Sequence, residues 1–186
     1  MFTGIVQAVG RIVRVAPLEI ECPDFDLSDV RVGDSICVQG VCLTVTARTS
    51  RSFSADISAE TRAVTAGLER AGAGVNLEKS VALGERLGGH LVTGHVDGVG
   101  EVLTLAESVL TVRMPRELRR LVARKGSICL DGVSLTVNHV EGDVFDAYLI
   151  PHTQQVTTLG RLAPGERVNL EVDLVARYVE RLLAER

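Results

Sequence analysis

DSICVQGVCLTVT at residues 34–46 returns as GSICLDGVSLTVN at residues 126–138. The two copies share an inner run, GVCLTV (40–45) against GVSLTV (132–137), that differs only at Cys42 and Ser134. Working outward, further matches keep the same order. TGIVQAVGRIV (3–13) answers to TGHVDGVGEVL (93–103), SAETRAVT (58–65) to IPHTQQVT (150–157), and VNLE (75–78) to VNLE (168–171). The offset runs only from 90 residues at Thr3/Thr93 to 93 at Val75/Val168, so the chain is an internal duplication with its boundary near Arg86–Gly89. A repeat of this kind fixes the architecture before any single element is assigned.

Each half reads as strands. Short runs of Val, Ile, Leu and Thr alternate with turn residues such as VGD, EGD and PGE, the pattern of a small antiparallel barrel or sandwich. Side chains alternate faces along a strand, so Val41, Leu43 and Val45 point one way and Cys42, Thr44 and Thr46 the other. In the second copy Val133, Leu135 and Val137 oppose Ser134 and Thr136. Cys42 and Ser134 are therefore expected on the polar face. Two segments have helical spacing. MPRELRRLVAR (114–124) offers Pro115 at a first helical position, with Leu118, Leu121 and Val122 on one side. DLVARYVERLLAER (173–186) carries a stripe of Leu174, Val175, Tyr178, Val179, Leu182 and Leu183 behind Asp173, a candidate N-cap. A terminal amphipathic helix most often packs on its own domain. The expected units are residues 1–87, 88–173 and the helix 174–186.

Composition excludes several functions. A net charge of -4 without a basic block argues against nucleic acid. No apolar run reaches the roughly 18 residues of a membrane span, and the start has no signal-peptide pattern, so a cytoplasmic setting with reduced thiols is expected. Cys22, Cys37, Cys42 and Cys129 form no CxxC pair, and His90 and His95 have no cysteine at metal-ligand spacing, so no metal is expected. Aromatic residues make up only 3% of the chain, so a planar ligand must be held by aliphatic side chains and backbone.

Differences between the copies mark where chemistry has specialised. His95 aligns with Ile5, Asp131 with Gln39 and Asp173 with Ser80, while His90 precedes the second copy where the first has no counterpart. Acid–base groups thus gather in or beside the second half, and the first half carries Cys42. Each has a plainer reading: Asp131 as a turn residue before Gly132, Asp173 as a cap, Cys42 as a small filler, Lys125 as a solvated charge. Cys37 and Cys129 occupy matching positions and read as packing residues. The asymmetry suits an enzyme acting on two related molecules, or a binding protein with one degenerate site.

Taken together, MFTGIVQ, GVCLTVT, GGHLVTGHVDGVG, KGSICLDGVSLTVN and LIPHT followed by TTLG resemble the riboflavin synthase family, of the alpha-chain, lumazine-binding-barrel type, over essentially the whole chain. The resemblance implies an all-β fold of two tandem six-stranded Greek-key barrels plus a C-terminal α-helix that holds a homotrimer. It implies a cofactor-free transferase reaction. Two molecules of 6,7-dimethyl-8-ribityllumazine dismutate by four-carbon transfer into riboflavin and 5-amino-6-ribitylamino-2,4(1H,3H)-pyrimidinedione. The active site would lie between the first barrel of one subunit and the second barrel of its neighbour, and the resemblance extends to association with lumazine synthase.

The family's ligand-lining segments fall in the first half on Gly4, Ile5 and Val6, on Val41, Cys42, Leu43 and Thr44, and on Asp56, Ile57, Ser58, Ala59, Glu60 and Thr61. In the second half they fall on Gly94, His95 and Val96, on Ser134, Leu135 and Thr136, and on Leu149, Ile150, Pro151, His152, Thr153 and Gln154, with Lys125 reaching a partner's ligand. Polar groups tied to catalysis match Ser35, Cys42, His90, His95, Asp131, Ser134 and Asp173. His95 is the expected proton-transfer group, supported by the Ser134 and Asp131 neighbourhood, with Cys42 facing the substrate of the first barrel. The chain departs from the family in a trimmed 14–26 connection and in Gln154 and Val156, where a Leu and a basic residue are commoner. Rival readings are a non-catalytic lumazine antenna protein, whose GGH and DGVS segments are degenerate, and a flavin oxidoreductase barrel, for whose nicotinamide domain there is no room.

Overall fold

The computed structural model describes residues 1–184, so the last two residues of the expected terminal helix lie outside the described residues. Strands β1 (Ala8–Val15), β2 (Leu18–Glu21), β3 (Ser35–Val38), β4 (Val41–Arg48), β5 (Ser52–Ala55) and β6 (Gly74–Lys79) close into one antiparallel barrel in the order β1-β2-β5-β4-β3-β6. Strands β7 (Gly98–Ala106), β8 (Val109–Arg113), β9 (Ser127–Leu130), β10 (Val133–Glu141), β11 (Val144–Tyr148) and β12 (Arg167–Val172) close into a second. Its cyclic order, β7-β8-β11-β10-β9-β12, repeats the first strand for strand. Neighbours that are not consecutive, β2 beside β5 and β8 beside β11, give the Greek-key path.

Alternation does the sorting. Val41, Leu43 and Val45 of β4 lie in the first barrel's core with Ile20, Phe53 and Leu77, and Val133, Leu135 and Val137 of β10 lie in the second with Val112, Phe145 and Leu170. Cys42, Thr44, Ser134 and Thr136 point outward, half-buried or exposed. The β3–β4 and β9–β10 hairpins turn on Gln39-Gly40 and Asp131-Gly132, with positive φ at both residues of each pair, the backbone that matches strand twist in a two-residue loop.

The barrels are joined along a pseudo-twofold axis. Phe2 and Val92 exchange backbone hydrogen bonds of 2.7 and 3.1 Å, and with Cys37 and Cys129 they form a small buried cluster between the two cores. The Asn of each VNLE copy reaches across. Asn76 Nδ2 donates to the Asp131 carbonyl (2.9 Å) and Asn169 Nδ2 to the Gln39 carbonyl (2.8 Å). The reciprocal bonds run from Thr158 N–H to Asn76 Oδ1 and from Ala66 N–H to Asn169 Oδ1, both 2.8 Å.

Helices fill the gaps. α1 (Ala59–Val64) and α2 (Pro151–Val156) carry the chain from β5 to β6 and from β11 to β12. Ser58 caps α1 by accepting from Thr61 N–H. α2 has no side-chain cap; instead Gln154 Nε2 donates to the Leu149 carbonyl (2.8 Å) and to Ser108 Oγ (2.9 Å), a use for one of the residues that departs from the family. The helix expected over 114–124 is instead a five-residue 3-10 turn, Arg116–Arg120, behind Pro115. The segment must close one end of the second barrel and re-enter β9 within a few residues. Leu118 N–H bonds Pro115 and Leu121 N–H bonds Leu118, burying Leu118 and Val122 before Lys125 turns at φ 67°. α3 (Leu174–Ala184) forms as its spacing predicts, with Asp173 Oδ1 accepting from Val175 N–H at 2.9 Å. Its packing differs from the expectation. No residue of α3 is buried, and Val175, Tyr178, Val179, Leu182 and Leu183 stand 49–69% exposed. An Arg177–Asp97 ion pair of 3.0 Å ties its first turn to the body.

Candidate active site

The segments that precede the two barrels cross over. Gly4 lies against β10, its carbonyl accepting from Ser134 N–H at 2.8 Å, and Val6 packs on the second barrel's core. Gly94 lies against β4, its carbonyl accepting from Cys42 N–H at 2.8 Å, and Val96 packs on the first barrel's core. Glycine is required at both contacts. Each has φ 77°, and a Cβ would come within 2.6 Å of Ser134 Cβ or Cys42 Cβ. So the structure seats Gly4, Ile5 and Val6 with Ser134, and Gly94, His95 and Val96 with Cys42, the reverse of the grouping by halves. Two outward-facing sites result, related by the pseudo-twofold axis and unequal in chemistry.

Two residues that sequence reasoning passed over hold these crossings. Glu78, 4% exposed, accepts from Thr3 N–H (2.7 Å), Thr3 Oγ1 (2.8 Å) and Gly4 N–H (3.0 Å). Glu171, 2% exposed, accepts from Thr93 N–H and Oγ1 (both 2.7 Å), Gly94 N–H (2.8 Å) and His95 N–H (3.0 Å). Burial pushes the Glu78 carboxyl above its ordinary range, against the pull of its donors. Each Glu ends a VNLE copy. The signal was present as an acidic residue kept in both copies of an otherwise apolar strand.

The Ser134 site has an addition that the Cys42 site lacks. His90 Nδ1 lies 2.7 Å from Ser134 Oγ, and the His90 N–H donates to the Thr3 carbonyl. The ring is 8% exposed and its Nε2 is buried without a hydrogen-bond partner. Burial lowers the His90 pKa below its ordinary 6.5, only partly offset by the charges of Asp173 and Glu171. The imidazole is therefore neutral at neutral pH and able to take a proton passed through Ser134. Ser134 and His90 thus meet at one site, where the charge of Asp173 acts on the histidine, and His95 follows the Gly94 contact at the Cys42 site. The expectation that Ser134 and Asp131 support His95 is corrected, because Ser134 is paired with His90. His95 is exposed, directly after the Gly94 that lies on Cys42.

Asp131 is taken up by the joint between barrels. It is 2% exposed, its Oδ1 accepts from Asn169 N–H at 2.8 Å, and burial raises its pKa to about 7. Ser35 stands at the start of β3 opposite Thr44 and lines a separate cavity of about 130 Å³ beside Asp29, Asp34 and Lys79. Val41, Leu43, Leu135 and Leu149 turn their side chains into the barrel cores, which leaves only their backbones to face a ligand on the outer surface. In the first half Thr44, Asp56, Ser58, Ala59 and Glu60 are exposed, with Ile57 and Thr61 half-buried. In the second half Thr136, Ile150, Pro151 and His152 are exposed, with Thr153 and Gln154 half-buried. Lys125 is exposed in the turn before β9. Among the described residues no three His, Cys, Asp or Glu side chains cluster to hold a metal ion.

The lumazine binding domain matches this chain twice, over residues 3–80 and 93–173. The riboflavin synthase of Mycobacterium tuberculosis is 48% identical over 198 residues, covering 98% of both chains. That of Photobacterium phosphoreum is 44% identical over 194 residues, covering 98% of this chain and 89% of its own. Among solved structures, LumP complexed with riboflavin superposes with a TM-score of 0.82 at 30% identity, over 92% of this chain and 99% of that one. LumP complexed with 6,7-dimethyl-8-(1'-D-ribityl) lumazine gives 0.80 at 28% identity over the same shares. With two matched domains in two like barrels, and such relatives along nearly its full length, the chain belongs to the lumazine-binding family that includes the riboflavin synthases.

Proposed function

We propose that the protein is a riboflavin synthase, a transferase that dismutates two molecules of 6,7-dimethyl-8-ribityllumazine into riboflavin and the pyrimidinedione co-product. The observation that carries this reading is the pair of crossed segments, which gives one chain two like sites, Gly94 on Cys42 and Gly4 on Ser134, with a buried neutral histidine at only one. Two like seats suit two identical substrates. Unequal chemistry suits a reaction in which one gives four carbons and the other receives them.

The reaction needs a proton taken from the C7 methyl of one lumazine, a nucleophile on the other, and the two rings held face to face. Ser134 Oγ, at 2.7 Å from His90 Nδ1, is placed to pass a proton to a neutral imidazole. Asp173 steadies the imidazolium that forms, its charge raising the His90 pKa. Cys42 and His95 serve the first seat, His95 in proton transfer and Cys42 against the ring. Orientation supplies much of the remaining acceleration, since an aligned pair can gain about 7 kcal/mol or more over free encounter.

Both seats face outward, so a second chain has to close each one. The exposed stripe of α3 is the surface we assign to that assembly, a homotrimer in which Lys125 reaches the neighbour's ligand. The same reading places the enzyme in the cytoplasm, in association with lumazine synthase. A non-catalytic lumazine binder is the second reading, favoured by the fold of LumP. Against it stand the higher identity to relatives named riboflavin synthase, 44–48% rather than 28–30%, and the intact His90, His95 and Ser134. Purified protein given the lumazine and no cofactor is expected to produce riboflavin, followed by its absorbance. Stoichiometric binding without riboflavin would leave the binder.

A further inference from the structure

A cleft of about 590 Å³ opens where the two barrels meet, away from both lumazine seats. Cys42, His95 and Ser134 do not line it. Its floor is made by Gln39 and Asp131, the matched residues of the two hairpin turns, so the cleft lies at the pseudo-twofold axis and occurs once per chain. Three arginines line it: Arg70 from the loop before β6, and Arg161 and Arg167 from the approach to and start of β12. The ion pairs and side-chain hydrogen bonds of the described residues involve none of the three. Of the acidic residues at the rim, Glu166 is engaged with its own loop, accepting from Ala163 N–H at 2.8 Å, and Glu69 stands alone.

A buried polar group without a partner carries a cost, and Asp131 Oδ2 is such a group. Val9 and Leu162 add apolar wall. Unpaired arginines are the side chains best suited to phosphate, which they grip with two parallel N–H bonds. The volume falls in the range that takes a nucleotide-sized molecule.

We propose that this inter-barrel cleft binds a phosphorylated, nucleotide-sized heterocycle, its phosphate on Arg70, Arg161 and Arg167 and the polar edge of its ring on the Gln39–Asp131 floor. Such a ligand touches both barrels and clamps their relative position. The inference does not depend on the lumazine reading, since no residue of the two seats takes part.

Calorimetric titration of the full chain with AMP, adenosine and inorganic pyrophosphate tests it. AMP is expected to bind once per chain, and adenosine to bind at least roughly tenfold more weakly. Arg161→Ala and Arg167→Ala are each expected to weaken AMP by about tenfold or more, with the melting temperature and lumazine turnover of the unliganded protein unchanged. Absence of heat with AMP at millimolar concentration overturns the proposal, as does binding that both variants leave intact. Binding of pyrophosphate alone overturns its heterocycle half. Competition between AMP and the lumazine would place AMP in a substrate seat and equally overturn it.

Discussion

Asp131 and His90 are both buried titratable groups beside Gly-rich segments, yet they respond to pH in opposite directions. Burial raises Asp131 to about 7 from an ordinary 3.8, so the native state holds its proton more tightly than the unfolded chain. Its contribution to stability is complete below pH ~4 and is lost as pH rises through about 7, a swing on the order of 4 kcal/mol. Asp131→Asn keeps an oxygen for the Asn169 N–H and removes the titration. Urea melts should show the variant gaining on the parent between pH 5 and pH 8; parallel curves would mean that Asp131 is not buried as described. His90 is depressed below 6.5, so the stability of its neutral form is present above that value and lost as pH falls through the lower native pKa. Turnover should accordingly show an acid limb with an apparent pKa below 6.5. Ser134→Ala should lower kcat by roughly 10²-fold or more if His90 takes its proton through that hydroxyl. His95→Ala should likewise lower turnover much more than lumazine affinity, measured by fluorescence titration. Unchanged turnover would remove His95 from the mechanism.

At the scale of elements, the strands were legible and the crossings were not. Alternation in GVCLTV and GVSLTV predicted which side chains fill the barrels and which face out, and the duplication predicted that both halves do it alike. Periodicity says nothing about the irregular residues 2–6 and 92–96, whose place is fixed by glycine contacts and by two buried carboxylates rather than by a hydrophobic pattern. Residues 114–124 failed for a related reason: helical spacing was present, but the chain had to close a barrel end and turn. Glu171→Gln tests the crossing directly. The amide would set an N–H₂ group against the N–H groups of Gly94 and His95, at a cost of about 1 to 3 kcal/mol. Glu78→Gln does the same to Thr3 and Gly4, and so serves as its twin. Both should lose stability in urea melts. Glu171→Gln should loosen lumazine binding at the Cys42 seat and Glu78→Gln at the Ser134 seat. Equal loss at both seats from either change would mean that the carboxylates support the fold alone.

At the scale of the whole molecule, two barrels that copy each other strand for strand present seats that are open on the outside, and a helix that leaves its apolar stripe bare. These two features explain each other if chains associate. Leu182→Glu combined with Tyr178→Glu should yield a folded chain with monomeric sedimentation and little turnover, the barrels' melting transition being kept. A monomer with full activity would confine the reaction to one chain. What duplication contributed is a pair of seats. On the proposed reading, divergence set the His90–Ser134 pair at one and Cys42 at the other. The most direct test of that division is to count products when purified protein consumes 6,7-dimethyl-8-ribityllumazine with nothing else added. Two cooperating seats predict one riboflavin and one pyrimidinedione for every two lumazines lost. Lumazine bound without riboflavin, or riboflavin formed one for one, would contradict it.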